Sequence, residues 1–106
     1  MSNKKIRVSL LQIEGRETPI LNASLIKKAL IKAYKFNPDI ICLPECANIM
    51  TANKSHLVKH ATLQKDCPVL EECIQFAKKY NKFVSVGSLL LKKNNSSKLL
   101  NRSFFI

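Results

Sequence analysis

The stretch "DIICLPECANIM", Asp39 to Met50, runs an apolar segment, Ile40 to Leu43, through a proline straight to a carboxylate, Glu45. In an open α/β sheet, ligands bind beyond the carboxyl ends of the strands. An acid directly after a buried strand is therefore in a position to do chemistry. Pro44 should stiffen the turn and fix the direction of the side chain. A carboxylate half buried beside apolar walls has a raised pKa and can act as a general base near neutral pH. The plainer alternative is a glutamate that caps a helix or is simply solvated, and the spacing alone leaves both readings open.

Four cysteines, Cys42, Cys46, Cys67 and Cys73, are the other candidates for chemistry. With His56 and His60, the first pair can be written as C-x3-C and H-x3-H, a pattern that invites a zinc reading. Against it, Cys42 lies inside the apolar segment, and Pro44 and Glu45 break up the pair. Structural zinc sites usually place both cysteines on one tight turn. No metal and no cofactor is expected. The opening "MSNKKIRVSLLQIEG" lacks the features of a secretory signal, and no apolar run approaches the roughly 18 residues of a membrane span. The expected location is the reducing cytoplasm, with four free thiols.

The chain has 106 residues and a formal net charge of +11, from 18 basic and 7 acidic residues. Such an excess can signal nucleic acid or an anionic surface. Here the lysines are dispersed, in pairs at most, as on solvated helix faces. Neither nucleic acid nor membrane is the expected partner. The composition, 46% hydrophobic and 24% charged, is that of one small globular domain.

The elements that must position Glu45 can be read from periodicity. "KIRVSLLQI", Lys5 to Ile13, predicts a strand with Ile6, Val8 and Leu10 on one face and Arg7 and Ser9 on the other. Residues 14–21 read as a loop. Asn22 to Phe36 reads as a helix capped by Asn22, with Ile26, Leu30, Ala33 and Tyr34 on its apolar stripe. Asn37-Pro38-Asp39 stops it, and Ile40 to Leu43 is a short buried strand. Residues 46–65 predict a helical turn or two without a strong cap. Asp66-Cys67-Pro68 opens a second helix, with an acceptor first and proline in the first turn, and Asn81 ends it. Phe83 to Leu91 is a strand, "KKNNSSK" a polar turn, and Leu99 to Ile106 another strand. Tyr34 and Tyr80 both read as core. The order strand-helix-strand-helix-strand-strand predicts an α/β sheet, parallel at first and closed by an antiparallel hairpin.

Taken together, these pieces resemble the N-terminal part of the nitrilase, or carbon–nitrogen hydrolase, family. The matching segments are "RVSLLQ", Asn22 opening the first helix, "PDIICLPE", "FAKKYNKFVSVGS" after a proline-led helix, and "NRSFFI". The resemblance implies an α-β-β-α sandwich and hydrolysis of a small-molecule amide or nitrile. A cysteine thiolate attacks the carbon, a thioester forms, and water releases the acid, with a glutamate as general base and a lysine stabilising the oxyanion. Glu45 matches that glutamate. Gly87 and Ser88 match the family's "G-S", and Asn101 matches an asparagine expected to make structural hydrogen bonds near the site.

Cys67-Pro68 departs from the more usual glycine-proline, and Leu100 replaces a common aromatic. The family's lysine and nucleophilic cysteine lie further along than residue 106, and no cysteine here matches the nucleophile. Residues 1–106 are therefore expected to be an incomplete N-terminal part of the domain, with Glu45 its one catalytic residue. A separately encoded C-terminal half is the partner that would complete it. A non-catalytic remnant or a basic binding module is the alternative. The sheet face opposite the two helices is expected to lie bare.

Overall fold

The computed structural model describes residues 4–94 and 96–106. The chain forms β1 (Val8–Leu10), α1 (Pro19–Tyr34), β2 (Ile40–Leu43), α2 (Lys54–His60), a 3₁₀ turn (Gln64–Asp66), α3 (Pro68–Tyr80), β3 (Phe83–Lys92) and β4 (Leu99–Phe105). The strands lie side by side in the order β1-β2-β3-β4. The first three are parallel and β4 runs antiparallel to β3, so the sheet is mixed as the hairpin reading required.

α1 starts three residues before the expected Asn22. Thr18 is the cap, its Oγ1 accepting the Leu21 N–H at 3.4 Å, and Pro19 takes the first helical position. Threonine followed by proline is a strong start signal, since the ring presets φ and the missing N–H would be unpaired there anyway. The helix buries Ala23, Ile26, Leu30 and Ala33 against the sheet. Tyr34 is 39% exposed, not core as expected, and stacks beside Tyr80 and Phe76 at the helix ends. α2 does have a cap: Asn53 Oδ1 accepts the His56 N–H at 3.1 Å. Asp66 does not open α3, because it is used up in the 3₁₀ turn; Cys67 stands at the cap and Pro68 follows. Asn81 ends α3 in the left-handed conformation, at φ 53°, as read from sequence.

Both long helices pack on one face of the sheet. Ile41, Leu43, Val84, Val86, Leu89 and Leu91 meet Ile26, Leu30, Val69, Leu70, Cys73 and Phe76 in a single core. β1 is shorter than expected, and its apolar face turns the other way. Ile6, Val8 and Leu10 point away from the helices, with Leu10 78% exposed, while Leu11 and Ile13 reach the core. Register puts Leu10 beside Cys42, Cys42 beside Ser85 and Ser85 beside Phe105 on that outer face. Phe83 and the 65%-exposed Phe105 lie against each other there, ring centroids 5.4 Å apart. The bare face read from sequence is present. Among the described residues no helix is long and apolar enough to cross a membrane.

Candidate active site

β2 delivers Glu45 to the carboxyl end of the parallel strands. The chain then turns at Cys46, which is left-handed at φ 51°. What holds this turn is β3. Regular β2–β3 pairing ends at Leu43 and Val86, and β3 carries an irregularity between Val86 and Leu89. In that gap Ser88 Oγ accepts the Cys46 N–H at 2.9 Å and Ser88 carbonyl accepts the Ala47 N–H at 3.0 Å. Gly87 is required by closeness. A Cβ there would stand 2.6 Å from the Pro44 carbonyl carbon and 2.8 Å from the Leu43 oxygen, both backbone atoms. The turn that carries Glu45 therefore lies directly on Gly87, and the expected "G-S" pair has a mechanical use.

Asn48 continues the same clamp. It is fully buried, at 0% exposure. Its Nδ2 donates to the Leu90 carbonyl at 2.8 Å and its Oδ1 accepts the Leu90 N–H at 2.9 Å, so one side chain reproduces a strand pairing. Asn22, also buried, donates from Nδ2 to the Asn48 carbonyl at 2.9 Å and to the Arg16 carbonyl at 2.7 Å, and accepts the Arg16 N–H at 2.8 Å. Asn22 is thus not a helix cap; it ties the loop before α1 to the loop after Glu45. Buried amides that satisfy backbone groups in this way rigidify a site, since each would be costly unpaired. Asn48 escaped the sequence reading. Its signal was there: a lone asparagine between Ala47 and Ile49, where a buried polar group must have partners.

Glu45 itself is exposed, not half buried as expected. Asn101 sits on β4 opposite Leu90, exposed, and among the described residues its side chain has no hydrogen-bond partner. The four cysteines are free and divided by the sheet. Cys67 and Cys73 are buried under the helices, and burial pushes both thiols up, Cys73 to about 12 with Cys67 and Glu72 adding to it. A nucleophilic cysteine needs the opposite shift. Cys42 and Cys46 are half buried near the carboxyl end of β2. His56 and His60 stack on each other at 4.2 Å, and His56 Nε2 meets the Glu17 carbonyl at 2.8 Å. No group of three or more metal-ligating side chains gathers among the described residues.

The carbon-nitrogen hydrolase family profile matches residues 7–106. No curated protein sequence matches the chain. Among solved structures it is similar to the Caenorhabditis elegans NitFhit protein, with a TM-score of 0.84 and 22% identity, over 100% of this chain and 26% of that one. It is similar to Saccharomyces cerevisiae Nit3, of branch 10 of the nitrilase superfamily, at 0.77 and 20%, over 94% and 39%. A third is XC1258 from Xanthomonas campestris, a CN-hydrolase superfamily protein, at 0.73 and 22%, over 94% and 36%. The chain spans well under half the length of each of these relatives. Identities this low speak for the fold, a fragment of the nitrilase-type sandwich, while the family profile covers nearly every residue. The chain belongs to the carbon–nitrogen hydrolase family.

Proposed function

We propose that this chain supplies the general base, Glu45, of a hydrolase acting on a non-peptide C–N bond, an amide or a nitrile. The lysine and the nucleophilic cysteine of such a centre come from sequence other than residues 1–106. The observation that carries this reading is the clamp: Gly87, Ser88, Asn48 and Asn22 together hold the backbone turn that carries Glu45 at the carboxyl end of the parallel strands. A merely solvated glutamate needs no such support.

In the completed centre the Glu45 carboxylate takes the proton of the cysteine thiol. The thiolate attacks the amide carbon, and the lysine ammonium stabilises the oxyanion. Glu45 returns the proton to the departing amine or ammonia, leaving a thioester. A water, deprotonated by Glu45, then attacks, and the acid and the thiol are released. Four reduced thiols fit a cytoplasmic setting.

The test is complementation. Alone, the chain should release no ammonia from simple amides. Co-expressed with the remainder of a nitrilase-superfamily relative, it should do so, and Glu45→Gln should abolish the activity while the complex still assembles. Hydrolysis by the chain alone, lost on Glu45→Gln, would overturn the requirement for a partner. Hydrolysis by the complex that survives Glu45→Gln would remove Glu45 from the mechanism.

A further inference from the structure

β3 carries its apolar residues out of step. Val84 and Val86 are buried in the core beneath the helices, and so are Leu89 and Leu91, although side chains on a strand alternate between faces. With strict alternation one of these pairs would face the bare side, so an extra residue must sit between them. The pairing with β4 shows where it is. Val86 stands opposite Phe104 and Leu89 opposite Arg102, so Gly87 and Ser88 together oppose the single residue Ser103. This is a β-bulge, a device that bends a strand and re-aims the groups at its centre. Here it directs Ser88 Oγ to the Cys46 N–H, at 2.9 Å, and the Ser88 carbonyl to the Ala47 N–H, at 3.0 Å. It also brings Gly87 against the Pro44 backbone.

On its other side the bulge faces β4. An extra residue disrupts the ladder locally and leaves backbone groups in need of partners. Ser103 Oγ donates to the Gly87 carbonyl at 2.6 Å, within the range of an O–H···O bond. We infer that Ser103 is a positioning residue for the turn that carries Glu45: its hydroxyl fixes the Gly87–Ser88 bulge, and the bulge in turn fixes Cys46 and Ala47. The influence passes from β4 through β3 to the end of β2, although β4 and β2 do not pair. At an exposed strand position a merely solvated serine could give way to any polar or β-branched residue. A hydroxyl that closes a bulge cannot be replaced by a methyl group, and threonine keeps the same oxygen in place. That role rests on this turn belonging to the proposed site, and not on Glu45 acting as a base.

Ser103→Val and Ser103→Thr have nearly the same shape and differ in the hydroxyl, so the pair separates the bond from the packing. The readout is the amide proton shifts of the chain, because a bond that merely adds stability leaves native shifts two strands away unchanged. In Ser103→Val the Cys46 and Ala47 resonances should move upfield as their acceptors withdraw. Their hydrogen exchange should quicken by about fivefold, as for the loss of one ordinary hydrogen bond. Ser103→Thr should leave both as in the parent. In Ser88→Ala the Cys46 amide has already lost its acceptor, so adding Ser103→Val should change it little further. A second measurement needs no resolved spectrum: the rate of iodoacetamide modification at Cys46 relative to Cys42, read from peptide masses, should rise in Ser103→Val and not in Ser103→Thr. Unmoved Cys46 and Ala47 shifts in Ser103→Val, an unchanged ratio of the two thiols, or equal effects of valine and threonine would overturn the proposal. So would full additivity of Ser88→Ala and Ser103→Val at the Cys46 amide. Shifts that move as stated while Glu45→Gln leaves hydrolysis by the complemented complex intact would uphold the role of Ser103 and count against the catalytic reading alone.

Discussion

Replacing Asn48 by alanine tests whether the turn behind Glu45 is held as described. The side chain makes two bonds with the backbone of Leu90, at 2.8 and 2.9 Å, from a fully buried position. Each contributes about 1 kcal/mol net, and each buried group left without a partner adds about 1–3 kcal/mol. Water entering the vacated space recovers part of that, so the total is about 3 kcal/mol, a large share of a typical stability of about 5–15 kcal/mol. The sharpest assay is local. The Leu90 amide donates to Asn48 Oδ1, so its hydrogen exchange should accelerate by about two orders of magnitude in Asn48→Ala, at about 1.4 kcal/mol per tenfold. Asn48→Asp separates the two bonds. Its carboxylate still accepts from Leu90 N–H but faces the Leu90 carbonyl without a donor, so the variant needs a proton in the folded state. That raises its folded pKa above the unfolded value of about 3.9. The variant should therefore be most stable below about pH 4 and lose stability as pH rises through the folded pKa, where the parent does not. Unchanged Leu90 protection in Asn48→Ala, or a flat pH profile for Asn48→Asp, would refute the clamp.

The thiols should divide by face: at pH 8 iodoacetamide should modify Cys42 and Cys46 in the folded chain and spare Cys67 and Cys73, as mass spectrometry of the peptides will show. Cys73 is held neutral up to about 12, against 9.0 when unfolded. The fold should accordingly lose up to about 4 kcal/mol as pH rises from 9 to 12, and Cys73→Val should flatten that part of the curve. The isolated chain, with Leu10, Phe83 and Phe105 bare, should self-associate or be partly molten, and a monomer with dispersed amide resonances and a cooperative melt would contradict this. Duplex DNA at physiological salt should bind no more tightly than the roughly 10⁻⁴–10⁻⁶ M of non-specific contacts, and submicromolar affinity would favour the basic binding module.

Local chemistry made much of this protein legible from sequence. Alternation, an apolar run ending in Pro44-Glu45, and the stops at Asn37-Pro38 and Asn81 depend only on near neighbours. They gave the order of elements, the mixed sheet and the position of the candidate base. Thr18-Pro19 and Cys67-Pro68 are local signals too, and they, not Asn22 and Asp66, mark the helix starts. Other facts had no local cause. Which face of β1 turns to the helices depends on its register with β2, not on its own alternation. The work of Gly87 is set by the Pro44 backbone lying across it, 43 positions away in the chain. Asn48 finds Leu90, and Asn22 finds Asn48, only because three separate segments converge at the end of β2. Sequence states what a residue can bond or bury. Which partner it meets is decided by long-range packing, and here that packing fixes the backbone turn that follows β2.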